Sequence, residues 1–180
     1  MTNDLPTTPS GAPAEGAGLP GSSQAVEEAA ASFEAGAAAL RSFVRECADV
    51  DWDAVVPVEK RTVRVMAYHC ARGIRLVREW LEPMRKALPV PGEAGEIDAY
   101  NAREMDLHEG ATRDEVVEIL DREVPGVAAF IRSLTAAEMR IVAPFGPGGG
   151  REMELSQVAR VGARHFEVHL GHIREALAAR

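Results

Sequence analysis

Apolar side chains recur three and four residues apart along most of this chain, and each such stretch predicts an amphipathic helix. Val26, Ala29, Ala30, Phe33, Ala37, Leu40 and Val44 mark the first, over about 24–48, with Ser22 or Ser23 as its cap and Glu27 and Glu28 in its first turns. Residues 50–58, which contain Trp52 and Pro57, break the rhythm and read as a connecting loop. Val63, Met66, His69, Cys70, Gly73, Leu76, Val77, Leu81 and Met84 predict a second helix over 58–87, which Pro83 kinks or ends. After a Pro- and Gly-containing loop over 89–96, a short helix is expected over 97–107. Thr112 with Glu115 reads as a capping box opening a third long helix to about Ser133, with a distortion at Pro125. A loop over 144–150 then leads to a last helix over 153–178.

Four long helices, each with one apolar stripe, predict an all-α four-helix bundle over residues 23–180. With 46% hydrophobic residues the chain can fill one core of ordinary size, and the 5% aromatic content favours helix over strand. Residues 1–22 are rich in Pro, Gly, Thr and Ser with few large apolar side chains, the composition of a disordered tail. A net charge of −8 argues against nucleic acid as a partner and for a small molecule or a protein. Two cysteines do not make a disulfide framework and no segment reads as a leader, so a cytoplasmic location is expected. No apolar run approaches the roughly 18 residues of a membrane span. The run Pro144–Gly150 is glycine-rich, but it lacks the Lys-Ser/Thr that a phosphate-cradling P-loop requires.

The chemistry lies in the histidines. His165-Phe-Glu-Val-His169 places two imidazoles four residues apart on one helix face, where two nitrogens can converge on one ion. His169 falls within the apolar stripe of its helix and His165 on its flank, while His69 sits mid-stripe on the second helix. Mid-helix residues of two elements can meet in a bundle, so His69, His165 and His169 are the candidate metal ligands. Three protein ligands with an exchangeable fourth position suit a catalytic site better than a structural one. The alternative, open at this level, is that these are core-edge histidines satisfied by carboxylates.

The stretch His165-Phe-Glu-Val-His169-Leu-Gly-His172-Ile173 resembles the H-x-x-x-H-x-G-Q-I signature of the DinB/YfiT-like superfamily. That superfamily includes bacterial thiol-dependent S-transferases and the metal-binding domain of mycothiol-dependent maleylpyruvate isomerase. Arg61-Thr-Val-Arg-Val-Met-Ala-Tyr-His69 is similar to its W-T-V-x-x-x-x-x-H segment, and Ile97-Asp-Ala-Tyr-Asn101 to its D-x-x-N. The resemblance spans about 23–178, and its specificity resides in the histidines. It implies an up-down-down-up bundle, frequently a homodimer, with Zn²⁺ or Ni²⁺ on the three histidines. Arg61 stands where Trp is usual and His172 where Gln is common, and the further domain of the larger isomerases is not expected here, which argues against that isomerisation itself.

An open position on a divalent ion lowers the pKa of bound water to about 7, or ionises a thiol. Three readings follow. The resemblance favours transfer of a low-molecular-weight thiol, such as mycothiol, to an electrophilic substrate; the others are hydrolysis and a non-catalytic metal-binding helical protein. His172 shares the ligand face and is the candidate catalytic residue, as a proton shuttle or a hydrogen-bond partner of the ligands. Asn101 either reaches a ligand at the bundle mouth or merely caps a turn, and Gly73 leaves room for substrate or for close packing. Cys70 is expected in the core, and His108 in an exposed loop.

Overall fold

The computed structural model describes residues 20–180, with side chains from residue 24. The tail expected over 1–22 lies outside the described residues except at 20–22, which open the first helix instead. The long members are α1 (Pro20–Glu46), the consecutive pair α3 (Val63–Arg72) and α4 (Ile74–Met84), α6 (Arg113–Arg132) and α9 (Val161–Ala178). Between them lie α2 (Asp49–Trp52), β1 (Val55–Val56), β2 (Arg61–Thr62), α5 (Ala94–Leu107), α7 (Ala136–Met139), β3 (Val142–Phe145), β4 (Arg151–Glu154) and α8 (Leu155–Ala159).

Contacts along the four members set their directions. Arg113, at the start of α6, donates to the Cys47 carbonyl just past α1, while Arg132, at its end, reaches Glu27 and Glu34, so α1 and α6 are antiparallel. α9 runs with α1: Phe33 lies against Gly162, Phe166 against Gly36, and Arg180 pairs with Asp51. Arg85, just past α4, meets Glu138 and Ser133 just past α6, so α3–α4 runs with α6. The bundle is therefore up-down-down-up. Two consecutive members in the same direction need a return connection, and α5 supplies it along the outside of α3 and α4. No residue of α5 is buried; it is held by the Glu93/Glu96 capping box and by Arg61–Asp106 and Arg75–Tyr100 contacts.

The apolar stripes meet in one core, in which Phe33, Leu40, Met66, Ile74, Leu81, Leu120, Ile131, Phe166 and Ile173 are fully buried. Each large apolar side chain so buried contributes about 1.5–3 kcal/mol. Thr112 caps α6 as expected, accepting from the Glu115 amide at 3.2 Å. Among the described residues, no helix is long and apolar enough to cross a membrane.

Several boundaries differ from the sequence-based expectations. α1 begins at Pro20, ahead of the two serines expected to cap it, because proline fits a helix's first turn. The predicted loop over 50–58 contains α2 and β1, and the predicted helix over 58–87 opens only at Val63. Its first residues are instead the turn and second strand of a hairpin, Val55 opposite Thr62 and Val56 opposite Arg61, with Lys60 at a positive φ of 55°. Pro57 removes an amide donor there and favours a turn. The same helix divides at Gly73 and ends at Met84, one residue after Pro83. α6 continues through Pro125 to Arg132 without ending. The last helix is preceded by strand β4 over Arg151–Glu154, paired with β3, and divides at Arg160. The burial of β3 alternates residue by residue, a period-two pattern in a segment too short to stand out beside helices. Neither two-stranded pairing disturbs the helical core.

Candidate metal centre

α3 brings His69 to the seam with α9, whose His165 and His169 lie one turn apart on the facing flank. The ring centroids are 4.8 Å apart for His69–His165, 5.1 Å for His69–His169 and 4.5 Å for His165–His169. One nitrogen from each ring lies within 4.8 Å of the other two. Antiparallel packing of α3–α4 against α9 makes this possible: Gly73 faces His165, and Val77, a turn further on, faces Gly162. A Cβ at Gly73 would stand 3.3 Å from His165 Nε2, so the glycine makes room for that ring.

The environment holds two of these rings neutral. Burial lowers His69 from the ordinary 6.5 to about 4, helped by His169 and opposed by Glu59. Burial, with the charges of His69 and His169, lowers His165 to about 3. His165 Nε2 is buried and has no hydrogen-bond partner. A neutral imidazole with an unpartnered lone pair is costly to bury, and it is the form in which histidine binds a metal. Bonds to Zn²⁺ are about 2.0–2.1 Å long, so the three nitrogens could share such an ion after shifts of about 1 Å. The donor set fits a divalent transition-metal ion, for which imidazole is a suitable ligand.

Behind the cluster stands a residue that sequence reasoning missed. Glu59, in the β1–β2 turn, has Oε1 2.7 Å from His169 Nδ1 and 2.6 Å from His172 Nδ1. Burial alone would raise its pKa, but the hydrogen bonds from His172 and His169 hold it below the usual carboxylate value. An ionised Glu59 accepts from both Nδ1–H groups, which leaves Nε2 of His169 free for a ligand role. Glu59, His169 and His172 also form a second convergent group, but separations of 2.6–2.7 Å are those of direct charge-assisted hydrogen bonds, too short to leave an ion between them. His172 is thus placed behind the three-imidazole cluster, its ring centroid 6.1 Å from that of His169. Read as an ordinary helix opening, Glu59 carried no signal in the sequence; only a hairpin turn folded against α9 reveals it.

The remaining candidates separate. Asn101 of α5 lines a small cavity together with His69, Gly73, Arg72, Arg75 and Tyr100, so the crossover helix does roof the seam beside the cluster. Cys70 is fully buried, its thiol pushed up by burial first and by Glu59 second, and it lies outside the convergent groups. His108 departs from expectation. It ends α5 half-buried, its ring stacked on buried Tyr68 at 4.1 Å, with Nδ1 2.7 Å from the Glu104 carbonyl. Tyr68 supplies the apolar surface that keeps it there.

The sequence model of the DinB superfamily matches residues 32–173. The chain belongs to the DinB superfamily. The matched stretch contains all three histidines of the cluster and Glu59. Among solved structures, YfiT from Bacillus subtilis is similar with a TM-score of 0.60 at 15% sequence identity, covering 87% of this chain and 83% of that one. YfiT is described as "a probable metal-dependent hydrolase with an unusual four-helix bundle topology". At that identity the likeness is one of fold, and the four-helix topology is common to both. No curated protein sequence matches the chain.

Proposed function

We propose that this DinB-superfamily protein is a divalent-metal-dependent enzyme that activates a protic nucleophile, with His69, His165 and His169 as ligands. The observation that carries the reading is the buried, unpartnered Nε2 of His165 facing two further imidazoles across the α3–α9 seam. Bound there, the ion would supply the Lewis acidity that ionises water or a thiol near neutral pH. The chain's own residues do the rest. Glu59 fixes the ring of His169 through Nδ1 and holds His172 by the same oxygen, so a proton arriving at His172 Nε2 is balanced by an ionised carboxylate 2.6 Å from its other nitrogen. Arg72, Arg75, Tyr100 and Asn101 line the small cavity that adjoins His69, which at about 10 Å³ has room for a water.

The finer reading is transfer of a low-molecular-weight thiol, such as mycothiol, to an electrophile, supported by the resemblance of the His165–Ile173 segment to the signature of a superfamily that includes thiol S-transferases. Hydrolysis is the second reading, supported by the printed description of YfiT. Protein purified without an affinity tag should contain about one equivalent of divalent metal, and His169→Ala should abolish it; metal retained by that variant would overturn the site. On the metal-loaded protein, consumption of an electrophile that requires mycothiol, bacillithiol or glutathione supports thiol transfer. Ester cleavage indifferent to added thiol supports hydrolysis.

A further inference from the structure

The flank of α9 that faces away from the histidines has chemistry of its own. Arg160 and Arg164 lie one turn apart there, and Arg151 of β4 joins them around an open depression of about 680 Å³. Many, though not all, of the other arginines in this acidic chain pair with carboxylates: Arg61 with Asp106, Arg85 with Glu138, Arg132 with Glu27 and Glu34. Among the described residues, Arg151, Arg160 and Arg164 form no ion pair. Among the described residues that line the depression only Glu167 is acidic, a local surplus of positive charge on a chain whose net charge is −8.

We propose that this depression is a binding site for a small organic molecule carrying at least two oxyanion charges, a phosphate ester or a polycarboxylate. Guanidinium groups match such oxygens with paired donors, which Lys would not supply in the same geometry. Like charges gathered in one concavity repel until an anion neutralises them, and the acidic remainder of the surface is screened beyond about 8 Å at physiological ionic strength. Half-buried Met153 and Val161 give the floor an apolar part for the body of the ligand. The volume falls within the roughly 300–1,000 Å³ of small-molecule pockets. The site lies across α9 from the imidazole cluster, so it does not depend on the metal.

Isothermal titration of the full chain with pyrophosphate, phenyl phosphate and citrate tests this directly. Saturable binding is expected for at least one of them, with Kd on the order of 0.1 mM. The Arg160→Gln/Arg164→Gln double variant should weaken it tenfold or more at an unchanged melting midpoint, since both side chains are exposed. Glu167→Gln should tighten it, and His169→Ala should leave it unchanged. Preference for the phosphates identifies a phosphate ester, and preference for citrate a polycarboxylate. Absence of saturation up to about 10 mM overturns the proposal. So does equal binding by the double variant, which would mean an adventitious ion only.

Discussion

α9 packs against α1 on one side and against α3–α4 on the other, and both seams use the same device, a ring pressed on a glycine. On the α1 side Phe33 lies on Gly162 and Phe166 on Gly36, with the two ring centroids 5.8 Å apart. On the α3–α4 side the glycine is Gly73 and the ring is His165. The first seam is buried and apolar, and its rings stabilise the fold by leaving water. The second buries a polar ring with a nitrogen left unpartnered, which costs stability unless a ligand takes up the lone pair. One helix thus carries a packing seam and a chemical seam about a quarter-turn apart, and the polar atom alone tells them apart.

Truncation should separate the seams most sharply. Phe33→Ala should cost about 3–5 kcal/mol in urea unfolding, whether or not metal is present, because it empties a packed position. His165→Leu should behave in the opposite way. Metal-free, it should be as stable as the parent or more so; with metal at a hundredfold its Kd it should lack the parent's gain of about 2.7 kcal/mol. A large loss of metal-free stability in His165→Leu would remove the contrast between the seams.

The pH profile sharpens the same comparison. His69 and His165 have folded pKa values of about 4 and about 3, below the ordinary 6.5, so between these limits the unfolded chain binds more protons than the folded one. Metal-free stability should therefore be full above pH 6.5 and fall as the pH drops toward 4. His165→Leu should flatten that fall, whereas Phe33→Ala should shift the whole curve down without changing its shape. Denaturant unfolding at a series of pH values reads both.

Glu59→Gln should act on the chemical seam only, lowering metal affinity 10–100-fold in competition with a chelator while leaving metal-free folding cooperative. Unchanged affinity would show that the hairpin carboxylate does not orient His169. The smallest effect is expected at the α1–α6 surface, where Arg132 bonds Glu27 and Glu34 in the open. Solvent and salt screen such pairs, so Arg132→Ala should barely move the melting midpoint and leave metal content unchanged.

The periodicity of apolar residues was enough to read the four long helices and the class of fold, because helix burial imposes a spacing that survives in the sequence. His165 and His169 were legible for the same reason: residues four apart share a face wherever the helix goes. Strand β4 escaped because four residues carry too little period to outweigh their helical neighbours, and Glu59 escaped because it sits within a turn that reads locally as a helix start. Its distance to His172, 113 residues along the chain, is a tertiary fact. The same holds for the separation of His69 from His165, and for the depression that gathers Arg151 with Arg160 and Arg164. Short-range sterics and hydrophobic spacing act within a few residues and so are written in the chain itself. Convergence of polar groups from separate elements depends on how whole helices dock, and only the packed bundle determines it.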